Sequence, residues 1–166
     1  MSKVIGYISL GSIKGMASDE KHKEWIELTG VDHQIHRNIN PTSKPLEALT
    51  TSQVQLGAIG IQKKADCSSP EIVAAVCKGQ TFDEVTIDLV RTTDAGHDVY
   101  YQWKLTDAYI SSYGVLSNSG GGVIETLENI SLCFSKVKWS YKKTDSKGKP
   151  QGSVDAGWDL AANKTA

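Results

Sequence analysis

Apolar and polar residues alternate with a period of two along most of the 166-residue chain. Val4, Gly6, Ile8 and Leu10 share one face of an N-terminal segment. Val85, Ile87 and Leu89 do the same in a second segment, and Tyr101, Trp103 and Leu105 in a third. Successive side chains of a strand point to opposite faces, so the pattern predicts antiparallel sheet buried on one side. The phase slips between Leu105 and the apolar pair Ala108 and Ile110, and again between Phe134 and Val137. Such slips predict bulges or bends, which a barrel needs to turn its strands.

One helix is expected, over Ser69 to Lys78. In Ser68-Ser69-Pro70-Glu71 a serine caps, the proline fits the first turn and the glutamate favours the positive helix end; Gly79 stops the helix. Ile72, Val73, Val76 and Cys77 fall on one stripe, with Glu71, Ala74, Ala75 and Lys78 elsewhere, so the helix should lie flat on the sheet. Between Arg37 and Gln53 the alternation is lost and Pro41 and Pro45 appear, which predicts a long extended loop. Gly120 to Gly122 permit a hairpin with positive φ. Thr144 to Asp155 is turn-rich and leads to Trp158 and Leu160, which need burial, so the C-terminal piece should return as a final strand. The fold class is therefore mainly β: an antiparallel β-barrel of two packed sheets, with one flanking α-helix and a long loop.

Length and composition narrow the function. A chain of 18.0 kDa fits one domain, residues 1–166, able to bury a core without disulfides or metals. A net charge of −1, with charged residues at 22%, offers no basic excess for a nucleic-acid backbone. The N-terminal apolar stretch is interrupted by Gly6, Ser9 and Gly11 and reads as a strand rather than a signal peptide. No run approaches the roughly 18 apolar residues of a membrane helix. A cytoplasmic start is expected, with any export by a route that does not read an N-terminal signal. Three cysteines fit that placement. Cys67 and Cys77 flank the helix about 15 Å apart at its rise of 1.5 Å per residue, beyond disulfide reach, and all three are expected to be small buried or half-buried side chains.

No catalytic or cofactor constellation emerges. His33 and His36, three apart on a strand, face opposite ways and cannot chelate together, and Asp32 and His33 also point apart. Cys133 sits mid-strand, where nothing would stabilise a thiolate, and there is no Gly-x-Ser-x-Gly elbow. "GSIKG" lacks the Gly-Lys-Ser/Thr ending that cradles phosphate. The outward charges carry more. Glu84, Thr86 and Asp88 alternate with core residues on one strand, and Lys136, Lys138, Ser140 and Lys142 do so on another. These rows are either solvated faces with internal cross-strand pairs or acidic and basic surfaces that meet between subunits.

Taken in order, "SDEKHKEWIEL" (18–28), "SSPEIVAAVCKGQTFDEVTIDLVR" (68–91), "YYQWKLTDAYISSY" (100–113), the triple glycine, "ISLCFSKVKWSY" (130–141) and "GSVDAGWDLAANK" (152–164) resemble the Hcp family, the tube-forming subunit of type VI secretion systems. The resemblance implies a hexameric ring that stacks into a tube, with the spike, the contractile sheath and effector proteins as partners. It implies no enzyme activity, no nucleotide or other cofactor, no nucleic acid and no membrane insertion. It further implies a start in the bacterial cytoplasm and secretion through the apparatus, carrying or chaperoning effectors. In that family the matching loop reaches neighbouring subunits, which makes Asn40, Lys44, Leu46 and Leu49 candidates for an assembly arm. Glu84, Asp88, Lys136 and Lys138 are the candidates on the charged rows. A monomeric barrel binding a ligand or glycan, and a stand-alone secreted effector, remain as alternatives.

Overall fold

The structure, a computed structural model, describes residues 5–38, 53–93, 96–120, 123–145 and 149–166. Among these residues there are, in chain order, nine strands and one helix: β1 Gly6–Leu10, β2 Ile26–Leu28, β3 Gly30–Arg37, β4 Val54–Lys64, α1 Ser69–Lys78, β5 Thr81–Thr93, β6 Gly96–Gly120, β7 Val123–Cys133, β8 Lys136–Thr144 and β9 Pro150–Asp159. All ladders are antiparallel, in the order β2-β1-β5-β6-β7-β4-β3, with β8 between β6 and β9. The assembly arm candidates Asn40, Lys44, Leu46 and Leu49, and the centre of the triple glycine, lie outside the described residues.

Strand β6 organises the sheet. It pairs with β5 from residue 96 to 109 and with β7 from 109 to 120, while residues 101–106 also pair with β8 on the other edge. Its period-two face is as expected: Ile87, Trp103 and Trp139 are register partners, as are Val85, Leu105 and Val137. These meet Ile59, Ile61, Ile130 and Leu132 of the β4–β7 half in one core. The sheet does not close as an uninterrupted ladder. Instead the chain turns at Thr29, whose N–H donates to the Gln62 carbonyl at 2.8 Å, and hands its pairing from β1 to β4. The result is barrel-like.

The two phase slips have distinct causes. Between Leu105 and Ala108 the β5–β6 ladder skips one pair, and Asp107 adopts φ 48 there. Between Phe134 and Val137 the chain turns a corner from β7 to β8. Further register shifts fall at Leu89/Val90 and Ile110/Ser112.

Helix α1 spans the expected residues and ends on Gly79 at φ 62. Its cap differs from expectation, because Ser68 is itself helical and makes no side-chain cap bond. Asp66 holds the turn instead, accepting the Ser68 N–H at 2.9 Å while its own N–H donates to Ser69 Oγ at 3.0 Å. The buried stripe also differs: Ile72 and Ala75 are covered, with Val76 packed beside them, while Val73 and Cys77 are exposed. Cys67 is exposed as well, so of the three free thiols only Cys133 is half-buried as expected. The C-terminal piece returns as β9, placing Trp158 and Leu160 against the core. No helix among the described residues is long and apolar enough to cross a membrane.

Candidate functional surfaces and polar clusters

The outer face of the sheet carries the charged rows, and register fixes their neighbours. One row runs Glu27, Tyr7, Asp88, Gln102, Ser140, Asp155, and another Glu84, Thr106, Lys136, Asp159. Glu84 is exposed. Lys136 reaches Asp159 at 3.3 Å and Lys138 reaches Asp155 at 3.4 Å, so the basic row is paired within the subunit while its side chains stay half exposed. Asp88 departs from the expected open row. It is 5% exposed, because the segment from Gly11 to Trp25 folds over this part of the outer face.

That segment is anchored by His22, 2% exposed. Its ring stacks on Tyr7 at 4.5 Å and meets the edge of Trp25 at 5.0 Å. Nδ1 lies 2.7 Å from Asp19 Oδ1 and Nε2 lies 3.0 Å from Asp88 Oδ2. Gln102 donates to the other Asp88 oxygen at 2.6 Å, and His97 Nδ1 lies 3.1 Å from Asp19 Oδ2. Burial alone would raise the Asp19 carboxyl. Hydrogen bonds from His22, the Lys21 backbone and His97, with the pull of the His22 charge, outweigh it and hold the group below the usual carboxylate range. Burial, with Asp19 and Glu27 nearby, raises the Tyr7 phenol.

A second cluster lies inside the barrel. Lys63 has no exposure; its Nζ donates to Glu128 Oε2 at 2.8 Å, Asp66 Oδ1 at 2.9 Å and Ser69 Oγ at 3.2 Å. Tyr113 OH donates to Glu128 Oε1 at 2.8 Å. Burial first, and then Glu128, push the Tyr113 phenol up to about 12.

The histidines do not converge as ligands. His33 points inward against Phe134 and Trp139, and burial holds its imidazole below the usual range. His36 points to Gln55 at 2.9 Å on the exposed side. Among the described residues no three His, Cys, Asp or Glu side chains gather as a metal site. A shallow depression of about 330 Å³ on the outer face is lined by small and polar groups, among them Gly30, Asp32, Gly60, Gln62, Asn129 and Ser131. Sequence reasoning missed both buried clusters.

These features define a class: a barrel-like antiparallel β protein with a helix packed on it, whose buried charges tie together its own elements. The family model described as "Type VI secretion system effector, Hcp" matches residues 7–141, and the chain belongs to that Hcp family. Protein hcp1 of Pseudomonas aeruginosa is 23% identical over 161 residues, covering 96% of this chain and 97% of that protein. The Major exported protein of the same species is 26% identical over 139 residues, 81% of this chain and 78% of that one. A solved type six secretion system protein matches with a TM-score of 0.89 at 27% identity, over 99% of this chain and 100% of that chain. Hcp1 from Salmonella typhimurium shares the fold with a TM-score of 0.78 at 21% identity, over 99% and 100%.

Proposed function

We propose that this chain, acting as one domain, is the ring subunit of a type VI secretion inner tube. Six copies close head to tail, rings stack, and the tube is secreted through the apparatus with effector proteins carried or chaperoned in it. The observation that carries this reading is the end-to-end fold match with a type six secretion system protein, together with the family match over most of the chain. No covalent step is required of the subunit. Firing energy comes from the contractile sheath, and the spike sits at the tube tip. Export after a cytoplasmic start fits the relative named a major exported protein.

Ring closure and axial stacking each need two different patches on one subunit. The ends of the described strand order support that geometry: β3 is a terminal strand, and β9 ends the β8 branch with part of its outer edge taken by Lys164 and Ala166. The arm residues Asn40, Lys44, Leu46 and Leu49 serve the axial contact in this reading. Glu84, Lys136 and Lys138 serve the lateral contact, whereas Asp88 works inside the subunit.

The test is native mass over a range of concentrations, with negative-stain images of the same sample. Hexamer-sized rings are expected. A strict monomer at high concentration would overturn the tube reading and leave a binding module or a stand-alone effector.

A further inference from the structure

We propose that His22 is a proton-operated latch that holds the segment from Gly15 to Trp25 against the outer face of the sheet. The argument begins with hydrogen-bond inventory. A carboxylate has only acceptors, so an imidazole bonded to a carboxylate at each nitrogen must carry a proton on both. Asp19 and Asp88 meet His22 in this way, at 2.7 and 3.0 Å. A neutral ring would keep one of these bonds and turn a lone pair towards the other carboxylate, in a site where His22 is only 2% exposed. Unpaired buried acceptors are expensive, and two facing acceptors more so.

The groups around the ring supply no second donor to Asp88 Oδ2, whereas Asp19 Oδ1 also holds the Lys21 backbone N–H at 3.1 Å. From its own segment come Asp19, which also accepts the His22 N–H at 3.2 Å, and Lys21, whose Nζ is directed to the His97 carbonyl at 3.3 Å. From β1 comes Tyr7, with its hydroxyl 3.3 Å from His97 Nδ1; from β2 comes Glu27, the register partner of Tyr7. From β5 comes Asp88, and from β6 come His97, on Asp19, and Gln102, on Asp88. Gln102 already donates to Asp88 Oδ1, so Oδ2 depends on His22.

The segment has little else to hold it. Its internal bonds run from Gly15 N–H to Glu24 O at 2.8 Å, from Ala17 N–H to Trp25 O at 3.0 Å and from Glu24 N–H to Ala17 O at 3.0 Å, all within the segment itself. Its side-chain attachments to the sheet run through His22 on Asp88 and Tyr7, Asp19 on His97, and the exposed Lys21 on the His97 carbonyl. Loss of the imidazolium proton therefore loosens the latch, uncovering Tyr7 and Asp88. The sign is opposite to acid unfolding: the latch holds when the ring carries both protons, at acid pH, and opens at alkaline pH.

Amide hydrogen exchange of Ala17 and Glu24, expressed as protection factors from about pH 5 to about pH 8, tests this on the full chain. The wild type should lose at least about tenfold protection at these amides as pH rises across that window, while β6 and β7 amides hold theirs. Asp88→Asn is the decisive variant. Its amide oxygen can take the Gln102 donor and its NH₂ can donate to a neutral Nε2, so protection should become nearly independent of pH. Constant protection in the wild type, or the same pH dependence in Asp88→Asn, would overturn the latch. If that variant does not fold, the wild-type series decides alone.

Discussion

Lys63 reaches Glu128 directly across the β4–β7 ladder, with Nζ 2.8 Å from Oε2 and both side chains inside the barrel. The same face of β4 carries Ile59 and Ile61, so a cation continues an apolar row. Asp66 and Ser69 answer its remaining donors and Tyr113 takes the second Glu128 oxygen, joining β4, the entry to α1, β6 and β7 at one point.

Removing one partner strands a buried charge. Lys63→Met should destabilise the fold by about 3–5 kcal/mol, read from the urea midpoint. Lys63→Met combined with Glu128→Leu should recover a large part of that loss, because the pair itself contributes less than its desolvation. A single-variant loss no greater than that of an exposed pair would contradict the internal placement.

The Tyr113 phenol, pushed up to about 12, gives an independent reading of the same cluster. A phenol raised in the folded state above its ordinary value of about 10 contributes stability that is fully present below pH 10 and is lost as pH rises through the folded value. Tyrosine absorbance should include a step near pH 12 that is absent in Tyr113→Phe, and Glu128→Gln should bring it towards the ordinary range. A Tyr113 titration unmoved by that substitution would remove Glu128 as a cause.

Much of this fold is legible in the chain because burial on one face writes itself as alternation: the Ile8, Ile87, Trp103 and Trp139 row needs only period-two reasoning. The helix was equally readable from Ser68 to Gly79, although the capping role passes to Asp66, since a hydroxyl in sequence does not reveal its backbone angle. Lys63 was missed because a lysine at a strand end reads as solvated. A signal existed: Ile59, Ile61 and Lys63 keep one parity, as do Glu128, Ile130 and Leu132. The His22–Asp88 contact left no such trace, being 66 residues apart and dependent on which strand the segment covers.

Gly15 should tolerate no side chain. A Cβ there would lie 2.3 Å from the Trp25 carbonyl oxygen and 2.6 Å from Ile26 Cα, and both are backbone atoms that can yield only by moving the segment. Gly15→Ala should cost about 1–3 kcal/mol in thermal or urea unfolding and lower the exchange protection of Ala17 and Glu24. An unchanged variant would mean that the segment stands farther from β2 than described.

Lys138→Glu separates folding from assembly. Lys138 is 56% exposed and its partner Asp155 41%, with the pair at 3.4 Å, so solvent screening leaves its loss with little cost to the isolated subunit. The fold has a partial compensation, since Lys138 stands directly opposite Lys104 in the β6–β8 ladder and the reversal replaces a like-charge pair by an opposite one. Unfolding midpoints of the monomer should therefore stay close to wild type. If the basic row meets an acidic surface of the next subunit, the same substitution places like charges at each contact around the ring, and the hexamer fraction by native mass should fall at low salt. Added salt, which screens exposed charges over about 10 Å at 0.1 M, should narrow the gap between variant and wild type. An unchanged oligomer mass would assign Lys138 to the solvated face and its Asp155 pair alone.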